Sequence, residues 1–306
     1  MRVSIPLHFL NSKFMNIHQI FKNLHYFLPD LRQSWILLGL TAIVGTVVSV
    51  LATTAVSIVF PSVSGWPELL IYPFLFIPPA VYIYSKLANQ KDIADVTGNN
   101  DRQRIALNKP SFGKLGGVMS FTLLFPLVFA FNIATEPLSS WMGLPDFMKQ
   151  LFEQMKEYPV SAFISVAIFA PLLEEILCRG IILRGLLAHY SPTKAILWSA
   201  AMFAIMHMNP WQAVPAFLMG IMMGWIYYRT RSIWAVIFIH FINNSFSFVI
   251  TAFFPGIAAD ATFSSILPGN LYYLIFVASV IYTAGVIYLM NRHYDKPLSN
   301  KIQAYS

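Results

Sequence analysis

Residues 35–60 of the chain read WILLGLTAIVGTVVSVLATTAVSIVF, without a single charged side chain. A membrane-spanning α-helix needs about 20 mainly apolar residues to cross roughly 30 Å of hydrocarbon. This stretch is long enough, and seven others resemble it. Of the 306 residues, 57% are hydrophobic and only 11% are charged, whereas an ordinary globular domain has about 25% charged residues. The sequence therefore predicts an all-α, polytopic membrane bundle with about eight transmembrane helices.

The eight apolar stretches run approximately over 35–60, 68–86, 116–135, 159–189, 193–209, 213–229, 232–254 and 271–291. The fifth and sixth are short and closely joined, which also suits a hairpin that does not fully cross. The fourth is too long for one straight crossing, so it must tilt, project or break near Pro171 or Gly180.

The remaining segments suggest how the chain is organised around one bundle. We expect a cytoplasmic or interfacial arm at 1–34, a single transmembrane bundle at 35–291 and a cytoplasmic tail at 292–306. Basic residues interrupt the first thirty positions, so we expect no cleavable signal peptide there. Residues 87–113 mix polar and charged side chains without an apolar period, which predicts a solvated loop.

The placement of charge predicts the orientation in the membrane. The chain has 20 Lys and Arg against 13 Asp and Glu. In an eight-span chain all the basic residues except Lys149 and Lys156 lie on one side. Because Lys and Arg favour cytoplasmic loops, both termini are expected in the cytoplasm. The basic excess therefore indicates topology and not nucleic-acid binding, and the single cysteine, Cys178, excludes an intrachain disulfide.

Two adjacent acids, Glu174 and Glu175, lie inside the fourth apolar stretch. An ionisable side chain at the centre of a membrane helix costs about 2.5–3.5 kcal/mol on insertion scales, so each one requires a reason. Arg179 follows Glu175 by four residues and shares its helical face, so this pair can neutralise one acid and leave Glu174 available. The simpler alternative is a structural one, in which both acids pair with Arg179 and Arg184 and lock two helices together.

Two later apolar stretches also carry polar groups. His207 lies in one, and His240 and Asn244 lie four residues apart in another, which places the latter two on one helical face. Taken singly, each of these residues is most simply explained as a hydrogen-bonded interior side chain between helices. Taken with Glu174, they can address a common cavity inside the bundle.

These residue types supply the parts for hydrolysis of an amide bond. In one arrangement Glu174 takes a proton from water with help from His207, while His240 and Asn244 donate hydrogen bonds to the developing oxyanion. In another, Glu174, His207 and His240 hold one zinc ion with an open water position, and Glu175 serves as the base. The residue types alone do not separate these two arrangements.

Three motifs on separate apolar segments resemble the signature of the CPBP family of intramembrane proteases. That family includes the type II CAAX prenyl endopeptidases and the bacteriocin-processing or self-immunity, Abi-like proteins. The motifs are Glu174-Glu175-x-x-x-Arg179, Phe203-x-x-x-His207 and His240-x-x-x-Asn244. The stretch 220–234 is also similar to the family, apart from Arg231 at a position where glycine is expected, and the likeness covers roughly residues 160–250.

The resemblance implies a function for each motif residue. Glu174 would be the catalytic glutamate, and the site would be completed by Glu175, Arg179, His207, His240 and Asn244. Members of the family are described both as metalloproteases and as glutamate proteases without a metal. We favour the metal-free mechanism, with no cofactor, and keep zinc as the alternative.

The leading functional hypothesis is an intramembrane endopeptidase of the CAAX-protease type. Its partners would be the lipid bilayer and a peptide or protein substrate, including lipidated or membrane-embedded ones, but no nucleic acid. One alternative is a proton-coupled transporter in which Glu174, His207 and His240 relay protons, although the chain lacks the internal repeats that many carriers have. Another is an immunity or binding scaffold that keeps the same residues but does not cut.

Overall fold

The computed structural model describes residues 23–61, 66–97, 105–254, 256–258 and 261–295, and gives no side-chain description for 66–68, 89–97 and 151. These described residues fold into helices and connecting segments, without a β-strand among them. The prediction of an all-α polytopic bundle is therefore confirmed. Most of the expected N-terminal arm and most of the expected C-terminal tail lie outside the described residues.

Helices account for most of the described chain. They are α1 (Leu31–Val59), α2 (Trp66–Leu75), α3 (Ile77–Thr97), α4 (Gly116–Ser139), α5 (Asp146–Met155), α6 (Pro159–His189), α7 (Pro192–Met206), α8 (Pro210–Thr230), α9 (Ile233–Phe253), α10 (Phe263–Ile266) and α11 (Gly269–His293). The segment 87–97 is helical as the end of α3, so the expectation of a solvated loop from residue 87 was wrong there.

Six helical stretches among the described residues are long and apolar enough to cross a membrane. They are Leu31–Val59, Leu69–Ala88, Gly113–Ser139, Pro159–His189, Ile233–Phe253 and Gly269–His293. Helix α7 is apolar but shorter, with 15 residues, and it packs extensively along α8. The fifth and sixth predicted stretches thus form a hairpin of closely packed helices. The protein is an integral, multi-pass membrane protein.

Helix α6 lies in the middle of the bundle. It contacts α2, α7, α8 and α9, and every residue from 177 to 187 is buried. The helix continues through Pro171 and Gly180, with two π-helical segments at Ile164–Phe169 and Ile176–Leu183. A π-helical turn displaces the backbone hydrogen-bond ladder, which accommodates the missing N–H of Pro171.

Arg184 connects α6 to two segments outside the membrane-spanning helices. Its side chain is fully buried, and it donates hydrogen bonds to the carbonyl oxygens of Leu24 at 2.7 Å, Phe27 at 2.9 Å and Ile105 at 2.6 Å. It therefore satisfies backbone carbonyls and does not pair with Glu174 or Glu175. The structural alternative that gave Arg184 an ion pair with the two acids was wrong.

Residues 105–111, which we call the strap, cover the same end of the bundle as Arg184. Arg231 donates to the carbonyl of Ala106 at 3.1 Å, and the Tyr227 hydroxyl donates to that of Leu107 at 2.8 Å. Leu107 also packs against Gly180, where an added Cβ would lie 3.2 Å from the Leu107 Cδ1. The strap is hence bound to the helices and is not the solvated loop that its composition predicted.

At the opposite end of the bundle, Glu136 binds Ser264. This acid lies in α4 and is only 6% exposed. Its Oε1 atom accepts hydrogen bonds from the Ser264 backbone N at 2.9 Å and from the Ser264 hydroxyl at 2.7 Å, whereas its Oε2 atom is buried with no hydrogen-bond partner among the described residues. The two donors offset part of the cost of burying the carboxylate.

Candidate active site

Glu175, Arg179 and His240 form one buried polar network. The Glu175 Oε1 atom accepts from the Arg179 Nη1 at 2.7 Å and lies 2.9 Å from the His240 Nδ1. The side chains of Glu175 and Arg179 are fully buried, and that of His240 is 6% exposed. The pairing of Glu175 with Arg179 that the four-residue spacing suggested is thus present. The same carboxylate also joins α6 to α9.

Local backbone structure explains where the two acids lie. Residues 170–175 form an α-helical turn between the two π-helical segments of α6. Consecutive residues of a helix point about 100° apart, so Arg179 can face Glu175 without also facing Glu174. The adjacent acids consequently have different surroundings although they share one turn.

Arg179 also contacts α7 and α8. Its guanidinium carbon lies 4.3 Å from the centre of the Phe203 ring, and its Nη2 donates to the Gly220 carbonyl at 3.3 Å. A Cβ on Gly220 would lie 3.1 Å from both the Cα and the Cβ of Ala200, so glycine lets α8 approach α7 closely there. A single arginine therefore binds groups on three helices.

Phe203 lies between the two histidines. Its ring centre is 5.0 Å from that of His207 and 5.5 Å from that of His240, edge to face in both cases. The His207 Nδ1 is 2.8 Å from the Phe203 carbonyl oxygen. The second motif therefore brings its phenylalanine and histidine to the same place as the first and third motifs.

Glu174 lies beside this cluster but forms no ion pair among the described residues. It is 7% exposed, and its Oε2 atom, like that of Glu175, is buried with no hydrogen-bond partner among the described residues. Its carboxylate interacts electrostatically with both His240 and His207. The three motifs consequently converge, as the sequence analysis required, with one acid bound to arginine and the other without an ion-pair partner.

Asn244 is held by hydrogen bonds at the edge of the cluster. Its Nδ2 donates to the Val166 carbonyl at 2.9 Å, and its Oδ1 accepts from Asn243 at 3.2 Å. Asn132 of α4 donates in turn to the Asn243 Oδ1 at 2.9 Å. The sequence analysis singled out neither Asn243 nor Asn132, because one asparagine in a mainly apolar helix gives no periodic signal.

Tyr72 is a second residue that the sequence did not single out. It lies on α2, which packs against the part of α6 that carries the acids, and its hydroxyl interacts electrostatically with Glu174. The only sequence signal was a tyrosine within a short apolar segment interrupted by prolines. Nothing distinguishes such a tyrosine from a residue that packs against lipid.

The zinc alternative requires three ligands around one point. Within the part of the chain that the structure describes, no group of three His, Cys, Asp or Glu side chains is arranged to hold a metal ion. The Nδ1 atoms of His207 and His240 both contact protein oxygen atoms, which leaves Nε2 as the nitrogen that a metal ion would use. Because the described residues do not gather three ligands around one point, we derive no step through a metal, and zinc stays the alternative to the metal-free mechanism.

A large cavity elsewhere in the bundle is apolar. It has a volume of about 470 Å³ and is lined by residues of α4, α7, α8 and α11, including Ile196, Leu218 and Trp225. None of the predicted site residues lines it. The candidate active site is identified by its polar groups and not by the size of a pocket.

The helical bundle thus brings polar residues of all three motifs together inside one membrane protein. A family model described as type II CAAX prenyl endopeptidase Rce1-like matches residues 156–246, less than a third of the chain, which includes all three motifs. The match confirms the resemblance to the CPBP family of membrane proteases. It supports a CAAX-protease-like intramembrane endopeptidase. Searches of curated proteins and of solved structures found no significant match.

Proposed function

We propose that the protein is an intramembrane endopeptidase in which Glu174 activates a water molecule for attack on a peptide bond. One observation carries this proposal. Of two adjacent buried acids, Glu175 is bound to Arg179 and His240, whereas Glu174 has no ion-pair partner among the described residues and interacts electrostatically with two imidazoles. A carboxylate in that position is suited to accept a proton.

His207 would hold the water together with Glu174. A carbonyl oxygen only accepts hydrogen bonds, so the contact with the Phe203 carbonyl places the ring proton of His207 on Nδ1. The Nε2 of the neutral ring is then an acceptor. A water that donates one hydrogen to Glu174 and the other to His207 directs a lone pair at the scissile carbonyl. Glu174 takes the proton as the C–O bond forms and returns it to the leaving amine.

His240 and Asn244 would stabilise the oxyanion. Because the His240 Nδ1 is bound to the Glu175 carboxylate, its Nε2 is the nitrogen free to donate, which requires the protonated ring. Hydrogen-bond donors fixed in a site with little water are worth about 10²–10³ in rate each.

The route of the substrate follows from burial. The Arg184 end of the site is covered by residues 24–29 and the strap, whereas His207, Asn243 and Asn244 are only half-buried. We therefore place the access of water and peptide on the His207 side or laterally from the bilayer. With both termini in the cytoplasm, as the basic residues suggest, direct access from the cytoplasm would require the strap to move.

The test is cleavage by the purified protein in liposomes. The substrates are C-terminal CAAX-type peptides with and without an isoprenyl group and a set of membrane-embedded peptides, with products identified by mass spectrometry. We expect Glu174→Gln to abolish cleavage and Glu153→Gln, at an exposed acid, to leave it unchanged. Equal cleavage by wild type and Glu174→Gln would reject the base assignment.

Two other outcomes would replace the proposal. Peptide binding without cleavage by the wild type would support the non-catalytic scaffold. Proton-driven uptake that is lost in Glu174→Gln, without any peptide product, would support the transporter.

A further inference from the structure

Three asparagines form a continuous chain of hydrogen bonds that ends at the candidate active site. Asn132 donates to Asn243 at 2.9 Å, Asn243 donates to Asn244 at 3.2 Å, and Asn244 donates to the Val166 carbonyl at 2.9 Å. The chain crosses from α4 through α9 to the π-helical segment of α6. Only its last side chain, Asn244, belongs to the three motifs.

The carbonyl at the end of this chain fixes the direction of all three amides. Val166 offers only an acceptor, so Asn244 must present its NH₂ group there and its Oδ1 on the other side. Asn243 must then donate to that oxygen and accept from Asn132. If Asn132 were replaced by an apolar residue, the Asn243 Oδ1 would lose this donor, and the Asn243 side chain would be held only by its bond to Asn244.

The surroundings of Asn132 make an incidental polar contact a poor explanation. Neighbouring residues Val128 and Ile133 of α4 are buried, and the next turn carries Thr135, whose hydroxyl bonds only to its own helix. An amide in such a helix is unfavourable unless it is hydrogen-bonded. Asn132 differs from Thr135 because its partner lies on α9, next to a predicted catalytic residue.

We propose that Asn132 is a positioning residue for the hydrolytic reaction, acting through Asn243 to hold the Asn244 amide with one N–H on Val166 and the other directed at the oxyanion. This inference rests on the proposed function. An amide has two N–H groups, so the bond to Val166 leaves one for the substrate. Misplacement of a catalytic group by about 1 Å can cost about 10² in rate.

A double-mutant cycle tests the proposal. We expect Asn132→Leu to lower kcat about tenfold and to leave KM nearly unchanged. This loss is smaller than the roughly 10²–10³-fold loss expected when an oxyanion donor is removed outright. In the Asn244→Ala background the same substitution should change kcat less than twofold, because the group that it positions is gone. Thr135→Val, one turn away on α4, is the matched control and should leave kcat unchanged in both backgrounds.

Outcomes against the proposal are distinct from failure of the proposed function. The positioning role would be overturned if Asn132→Leu lowered kcat by the same factor in both backgrounds, or did not lower it in either, while Glu174→Gln remained inactive. Activity in Glu174→Gln, or none in the wild type, would instead reject the proposed function and the positioning role with it. Thermal unfolding is measured for each variant to check that it folds. If Asn132→Leu does not fold, Asn132→Ser replaces it, because serine is too short to reach Asn243.

Discussion

The two adjacent acids provide the sharpest test, because the same isosteric change should have opposite consequences at neighbouring positions. Glu175→Gln removes the ion-pair partner that Arg179, whose side chain is fully buried, has among the described residues. Glu174→Gln removes a buried charge that has no such partner. Each substitution replaces one oxygen by an NH₂ group and leaves the shape of the side chain nearly unchanged.

The expected magnitudes follow from burial. Removing one partner of a buried ion pair costs about 3–5 kcal/mol, because the remaining charge is left uncompensated. We expect Glu175→Gln to destabilise the protein by an amount in that range. Glu174→Gln should leave the free energy of unfolding unchanged or raise it slightly, because a buried charged group without a partner is itself unfavourable. Its effect on activity should instead be the loss of general-base catalysis, at least about 10²–10⁴-fold.

The assay combines two measurements on each variant in the same detergent. Denaturant-induced unfolding gives the change in stability, and peptide cleavage well below the unfolding transition gives the activity of the folded fraction. The double variant Glu175→Gln with Arg179→Met serves as the control, because removing both charges should recover part of the lost stability. Equal stability losses in the two single variants would refute the assignment of one acid to structure and the other to chemistry.

Three further predictions concern other parts of the molecule. Arg184→Met should release the strap and the segment 24–29, because it removes three charge-assisted hydrogen bonds, each worth about 1.5–3 kcal/mol when counted singly. Limited proteolysis should then cut these two segments faster than in the wild type, and an unchanged rate of cutting would contradict the prediction. Glu136→Ala should free the segment around Ser264 and lower the stability by about 1–3 kcal/mol, whereas Glu157→Ala, at an acid for which no partner is described, should change the unfolding midpoint little. If the reaction is metal-free, chelators should leave cleavage unchanged and the purified protein should contain far less than one zinc ion per chain; a stoichiometric metal whose removal stops cleavage would reverse our preference.

Much of the fold could be predicted from the sequence because a bilayer imposes simple requirements. The length of the apolar stretches predicted the helices, and the four-residue spacing of Glu175 and Arg179 predicted their ion pair. The cost of polar groups in hydrocarbon singled out Glu174, His207 and His240 as residues that need partners. These arguments depend on properties local to one helix, and the structure bears out their geometry.

Other features depend on which helices are neighbours, and a single sequence does not contain that information. Asn132 and Tyr72 lie in mainly apolar helices, and only the packing of α4 and α2 brings them to the site. The strap was misjudged for a related reason. Its polar composition indicates solvent, but its backbone carbonyls are bound by Arg184, Tyr227 and Arg231 from helices far along the chain.

The adjacency of the two acids has a physical rationale. A buried arginine that joins α6, α7 and α8 needs a counter-charge, and the oxygen of Glu175 that supplies it is already bound to Arg179 and His240. A second acid at the next position points about 100° away, so it can lie beside the same cluster without facing the arginine directly. Glu175 can then hold Arg179 and His240 in place through every step, while Glu174 gains and loses a proton. The geometry of a helix thus separates support from chemistry within two consecutive residues.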